Sequence, residues 1–331
     1  MSKILAIIVE KYVKIGHPIG SKKVCELMGN SISAATIRND MASLTALGFL
    51  EQPHISAGRI PSVNGYRFYV NNLMNFKILS DYEKHCICGM IKNVTLDPES
   101  IIQESCDVLS RITKCAVAFA APPVGDSYVK EIKFVRVGLR TIVLILVTSS
   151  GMIQNQIFNC KFEVSSEILE IFKKAVSSKF KGKLLKSLVF DMQKIIFAQE
   201  VKDMIIIPAF EATLRAVKKV CQLKTGVRGE KFLFDFEKPS DALSILEVIE
   251  KKKFNDFLFS SSNKIKIYVG DDCKMEEFSG CCLAVEKYNV GIHEGAISVI
   301  SPIRVDYSDI IAKMNYITEI IQSMFSEIMN R

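Results

Sequence analysis

The residues with the most specific chemistry lie between Ser33 and Leu47. On a helical wheel Ile37, Met41, Leu44 and Leu47 share one side, a stripe suited to packing. The other side carries Ala35, Arg38, Asn39, Ala42 and Ala46. Solvent-facing helix positions ordinarily carry Lys and Glu, whereas here small residues flank one Arg and one Asn. Arg and Asn pair bidentately with guanine and adenine edges, and an Ala methyl can touch a thymine methyl. Small side chains also let a helix axis sit deep in the major groove. The chemistry implied is base reading in duplex DNA, with Ala35, Arg38, Asn39 and Ala42 as readers. An alanine-rich face that is merely exposed, or packed on another helix, would look the same in isolation, so the flanking residues must decide.

Those flanks describe a helix-turn-helix. Lys3 to Lys14 carries Ile4, Leu5, Ile8 and Tyr12 at helical period and stops at Gly16, with Pro18 beyond. Ser21 is placed to cap a short helix over Lys22–Met28, closed by Gly29-Asn30, and a third helix runs from Ser33 to Leu47 before Gly48. Gly48–Gln52 then reads as a strand, Pro53–Pro61 as a turn-rich loop with Arg59 at its tip, and Gly65–Val70 as a second strand and helix. A basic loop between strands after a recognition helix is a wing, able to reach phosphate or the minor groove. Ser33 and Thr36 at the helix start, with Lys22, Lys23, His54, Ser56, Arg59 and Arg67, are expected to hold the DNA backbone.

Charge points the same way. Residues 1–75 carry eight Lys/Arg against four Asp/Glu, while the rest carry thirty-five against thirty-two, so the positive density is concentrated where a polyanion would bind. Enzyme classes find little support. Gly16–Lys22 has only three residues between its glycines and reverses the Lys-Ser order of a phosphate loop, and no G-x-S-x-G string occurs. Ten cysteines contain no C-x-x-C pair and, with four histidines, build no zinc spacing, so they read as small reduced hydrophobes. Asp271-Asp272 with Glu276-Glu277 is an acidic cluster that reads as a solvated loop sooner than a cation site. No cofactor, metal site or catalytic group is expected. Without a signal-peptide core or a membrane-length apolar run, the expected location is cytoplasmic.

The remaining chain reads as α+β. Helices are expected over residues 76–115, including one opened by Asp97-Pro98-Glu99. Strand signals follow at Ala116–Ala120, Val129–Leu139, Thr141–Thr148 and Gln154–Phe158, bounded by Pro122-Pro123 and Ser149–Gly151, which suggests an antiparallel sheet. From Glu163 to Asp256 the pattern is helical, with apolar residues such as Phe190, Ile196, Phe197, Ile205 and Phe210 that suit either a local core or a dimer contact. Strands resume at Ile265–Val269, Cys281–Tyr288 and Ala296–Ile300, and a helix runs from Tyr307. A sheet interrupted by a helical block implies an insertion. The divisions expected are 1–75, 76–162, an insert at 163–260, and 261–331.

The strings PIGSK (18–22), ATIRNDMASL (35–44) and QPHISAGRIPSVNGYRFYV (52–70), with SPIRVDYSDII (301–311), resemble the HrcA family of heat-inducible transcription repressors. Ile55 and Ser301 stand where that family tends to have Thr and Gly. The resemblance implies an N-terminal winged helix-turn-helix and a GAF-like antiparallel-sheet domain interrupted by an inserted dimerisation domain. It also implies a homodimer on an inverted-repeat operator, the CIRCE element, repressing chaperone and chaperonin operons. Chaperonin would act as the activity modulator, with repression relieved when unfolded protein titrates it away. A metabolite-sensing body that gates DNA binding is the alternative.

Overall fold

A computed structural model describes residues 1–55, 57–91, 98–121, 127–190, 205–236, 239–260, 265–290 and 293–329. The chain opens with α1 (Ser2–Ile15), α2 (Ser21–Leu27) and α3 (Ala34–Ala46), then a two-stranded antiparallel hairpin of β1 (Leu50–Glu51) and β2 (Ile60–Pro61), then α4 (Val63–Asn72). Two further helices, α5 (Asp81–Ile91) and α6 (Pro98–Thr113), lead into the body.

The body holds two antiparallel sheets with separate cores. β3 (Ala116–Ala121), β7 (Lys224–Arg228), β8 (Lys266–Val269), β9 (Cys281–Val290) and β10 (His293–Pro302) form a five-stranded sheet in the order β7-β3-β10-β9-β8. One face packs on α5, α6 and the C-terminal α12 (Tyr307–Met329). The other packs on α10 (Pro239–Ile249) and α11 (Lys252–Ser260). Apolar residues on both faces explain why β3 reads as an uninterrupted apolar run, AVAFAA.

The second sheet is β4 (Val129–Arg136), β5 (Thr141–Thr148) and β6 (Ile153–Asn159), in that order. Ile132, Ile142, Leu144, Leu146 and Phe158 share a core with α7 (Ser166–Phe180), α8 (Leu185–Phe190) and α9 (Ile207–Cys221). This corrects the expected insert. The interrupting unit includes the three strands and closes at α9, whereas β7, α10 and α11 belong to the larger sheet. Strands read alike whichever sheet they join, so only the pairing separates them. Phe210 lies in the insert's core, Phe190 and Ile205 are exposed, and Ile196 and Phe197 lie outside the described residues, as do Asp97 and Pro122-Pro123.

The outer face of the three-stranded sheet is largely apolar, and no element among the described residues covers it. Register aligns Val135, Val143 and Ile157 across it, with Val147 beside Ile153 and Ile145 between Lys133 and Asn155. Ile157 is 63% exposed and Val137, just beyond β4, 60%. β-branched side chains suit a pleated surface, but a solvated sheet face would normally alternate to polar residues here.

Within the larger sheet Glu286, on β9, lies in the row of Ile297, beneath α12. Burial pushes its carboxyl up to about 7 from 4.5, against a smaller opposing pull from the Thr318 hydroxyl; Glu319 adds to the rise. The folded state therefore favours the protonated form. Its contribution is fully present below the unfolded value and is lost as pH rises through the folded one. Native protein should lose up to about 3 kcal/mol of stability between pH 5 and 8 from this group. Glu286→Gln should flatten that slope in urea titrations at the two pH values; an equally steep slope would remove Glu286 as its source. Six of the ten cysteines are buried, and burial pushes the Cys115 thiol up to about 11. Among the described residues no helix is long and apolar enough to cross a membrane.

Candidate nucleic-acid interface

Each side of α3 is fixed by its neighbours. Ser33 caps it, its Oγ accepting from the Thr36 N–H at 3.1 Å, while the two hydroxyl oxygens lie 2.9 Å apart. Ile37, Met41 and Leu44 are buried against α1 residues Ile4, Leu5, Ile8 and Val9 and against Val24 of α2. Leu47 departs from the expected stripe: the helix ends at Ala46, Leu47 is the C-cap, and its side chain is 63% exposed.

Ala35, Thr36, Arg38, Asn39, Ala42, Ser43 and Ala46 are all exposed. The Arg38 and Asn39 side chains have no partner among the described residues, so their donors and acceptors face solvent. Ser43 joins this face, although its hydroxyl already donates to the Asn39 carbonyl at 3.1 Å. It escaped the sequence reading because serine in a helix is ordinary. Among the described residues no element covers this side of α3.

The turn ahead of α3 is built for sharpness. Gly29 and Asn30 both take positive φ, 67° and 57°, and the Cys25 thiol donates to the Ile32 carbonyl at 3.1 Å. α2 is capped by Gly20, not by Ser21, which is buried as the first helical residue. Lys22 and Lys23 are exposed, and Lys23 pairs with Glu26 at 2.8 Å, a contact worth little at such exposure.

The hairpin stands beside α3. Ile19 and Arg59 exchange backbone hydrogen bonds at 2.9 and 2.8 Å, tying the α1–α2 loop to the hairpin. Gly58 makes this approach possible, since a Cβ there would lie 2.4 Å from the Ile19 carbonyl. Gln52 organises the tip, its Nε2 donating to the Ile55 and Ala57 carbonyls at 2.7 and 3.2 Å. His54 and Ile55 are exposed at that tip, and Ser56 lies outside the described residues. Arg59 sits at the hairpin's base, not its tip, with Nε donating to Thr45 Oγ1 at 3.0 Å, so its guanidinium lies against α3.

Two expectations need correction. The second strand falls at Ile60–Pro61, and Gly65–Val70 is wholly helical within α4. Arg67, expected on the DNA backbone, is turned to the body instead. Its Nε pairs with Asp272 at 2.7 Å, Nη2 donates to the Val269 carbonyl at 3.1 Å, and Nη1 to Asn64 Oδ1 at 2.6 Å. The acidic cluster is thereby explained in part: Asp272 is an ion-pair partner, and among the described residues no group of side chains could hold a metal.

The family model described as HrcA protein C terminal domain matches residues 99–311. A heat-inducible transcription repressor HrcA from Clostridium perfringens is 31% identical, covering 99% of this chain and 98% of its own. One from Halalkalibacterium halodurans is 28% identical over 98% and 96%. A crystal structure of a hypothetical protein shares the fold, with a TM-score of 0.71 at 20% identity over 99% of this chain and 98% of that one. Matched along nearly its whole length, the chain belongs to the HrcA family of heat-inducible transcription repressors, which are regulators and not enzymes.

Proposed function

We propose that the protein is a dimeric repressor of chaperone and chaperonin operons, acting in the cytoplasm on an inverted-repeat CIRCE operator. Residues 1–72 are read as a winged helix-turn-helix, with α3 in the major groove and the β1–β2 hairpin as the wing. Ala35, Arg38, Asn39 and Ala42 read bases; Ser33 and Thr36 hold phosphate at the helix start; Lys22, Lys23, His54, Ser56 and Arg59 are further contacts to the DNA backbone. The five-stranded sheet with its helices is the GAF-like domain, and the three-stranded sheet with α7–α9 its dimerising insert. The observation that carries this is the solvent-facing, unpartnered Ala/Arg/Asn side of α3.

An inverted repeat presents two half-sites related by a two-fold axis, so its reader needs a self-complementary surface. The largely apolar face of β4–β6, covered by no element among the described residues, supports that role, its apolar residues being β-branched and its Lys133 and Glu131 already paired with each other at 3.6 Å. Chaperonin enters as the modulator that keeps the repressor competent, so unfolded protein competing for chaperonin relieves repression.

Footprinting the native chain on DNA upstream of chaperonin genes tests this. The reading requires two protected half-sites about one helical turn apart, or a multiple of it, at physiological salt. Uniform, salt-sensitive coating without a footprint would leave only non-specific binding.

A further inference from the structure

Residues 1–72 have no closed core of their own. Val269, Cys282 and Tyr307 of the body are buried in the same cluster as Ile4, Ile8 and Leu44, and the Tyr66 and Tyr307 rings lie 6.0 Å apart. We propose that Arg67, Asp272 and Tyr307 are positioning residues that fix the orientation of the DNA-binding end on the body, and so set the half-site spacing the dimer accepts. This rests on the dimeric-operator reading above.

Four observations carry it. Each nitrogen of the Arg67 guanidinium lies within 3.1 Å of an oxygen, Nε in an ion pair with Asp272, Nη2 donating to the Val269 carbonyl and Nη1 to Asn64. Asp272 is itself held, its second carboxylate oxygen accepting the Val269 N–H at 3.0 Å, so the ion pair joins two fixed elements and not two mobile side chains. Gly270, at φ 63°, lets that turn approach α4: a Cβ there would lie 3.1 Å from Val63 Cγ1. Elsewhere the Arg304 guanidinium lies over the Tyr12 ring of the head, 5.9 Å from its centroid, and just beyond the head Lys77 pairs with Asp309 at 2.7 Å.

Swivelling the head would therefore expose shared core as well as break an ion pair, whereas a domain on a free linker would swivel without that loss. Each added base pair moves a half-site by about 3.4 Å and turns it by roughly 35°. A fixed head meets both half-sites at one spacing.

The test uses the full chain, native and as Arg67→Ala and Asp272→Asn, on three kinds of duplex. These are the chaperonin-gene inverted repeat, the same repeat with its spacer changed by one to five base pairs, and a single half-site. Native protein should prefer its natural spacer by at least about 10-fold, and both variants should reduce that preference to about 3-fold or less. Half-site affinity and its salt slope should stay native in both. If Arg67 were a phosphate contact, Arg67→Ala would weaken half-site binding and flatten the salt slope by about 1, while Asp272→Asn, removing an acid, would strengthen it; that opposite pair of signs overturns the proposal, as does unchanged spacer preference. Amide exchange of DNA-free protein separates this inference from the operator reading. Both variants should speed exchange in Val63–Asn72 and Val269–Cys273, and native-like exchange there defeats the proposal even if operator binding holds. If exchange quickens but native protein binds none of the duplexes, the orientation lock stands and the operator reading falls.

Discussion

Arg38→Ala is expected to lower affinity for the operator by about 10- to 100-fold while leaving affinity for random-sequence DNA nearly native. The asymmetry follows from what the side chain can touch. Arg38 projects from the second turn of α3, exposed and with no internal partner among the described residues. A guanidinium there can form a bidentate pair with guanine, and one such pair discriminates by about 1–3 kcal/mol. On the proposed reading, non-specific binding draws on phosphate contacts summed over Lys22, Lys23 and the β1–β2 hairpin, which the substitution leaves alone. Because Arg38 is exposed and supports no packing, its loss should not change the melting temperature. Anisotropy titrations with operator and shuffled duplexes measure both affinities; equal losses on the two would make Arg38 a phosphate contact.

Ile157→Asp should separate the dimer and cost more still. In the monomer this position is open to water, so a carboxylate there is solvated and the fold should survive. In a dimer closed over the β4–β6 face the same charge is buried without a partner, a penalty of several kcal/mol. Two heads held in one molecule bind the second half-site at an effective concentration near millimolar, so monomerisation should weaken inverted-repeat binding by about 100-fold or more, with single half-site affinity retained. Sedimentation and the two titrations read these together. A variant that stays dimeric places the self-contact elsewhere.

Much of this was legible in the sequence because the signals were local. The α3 stripe, the Ser33 cap and the Gly48 stop all lie within sixteen residues, and each has a mechanism that acts over one or two turns. β5 is bounded at Thr141 and Thr148 as its aliphatic run suggested. What escaped depended on distant partners. Arg67 looks like any basic residue beside a wing until Asp272, some two hundred positions on, is brought against it. β7 escaped because KTGVR carries one aliphatic residue in a lysine-rich stretch; it is a strand only through pairing with β3, where Gly226 makes room for the Phe119 ring. The insert's limits were misplaced for the same reason, since no local pattern says which sheet a strand will join.

Ala42→Glu addresses the central claim most directly. The site is exposed on the middle of α3 and Glu is a good helix former, so stability should be unchanged. With that side of the helix in the groove, the substitution thrusts a carboxylate toward base edges and phosphates, and operator affinity should fall by at least about 100-fold, a larger loss than one base contact supplies. Native operator affinity in a natively stable Ala42→Glu protein would mean that this side of α3 never meets DNA.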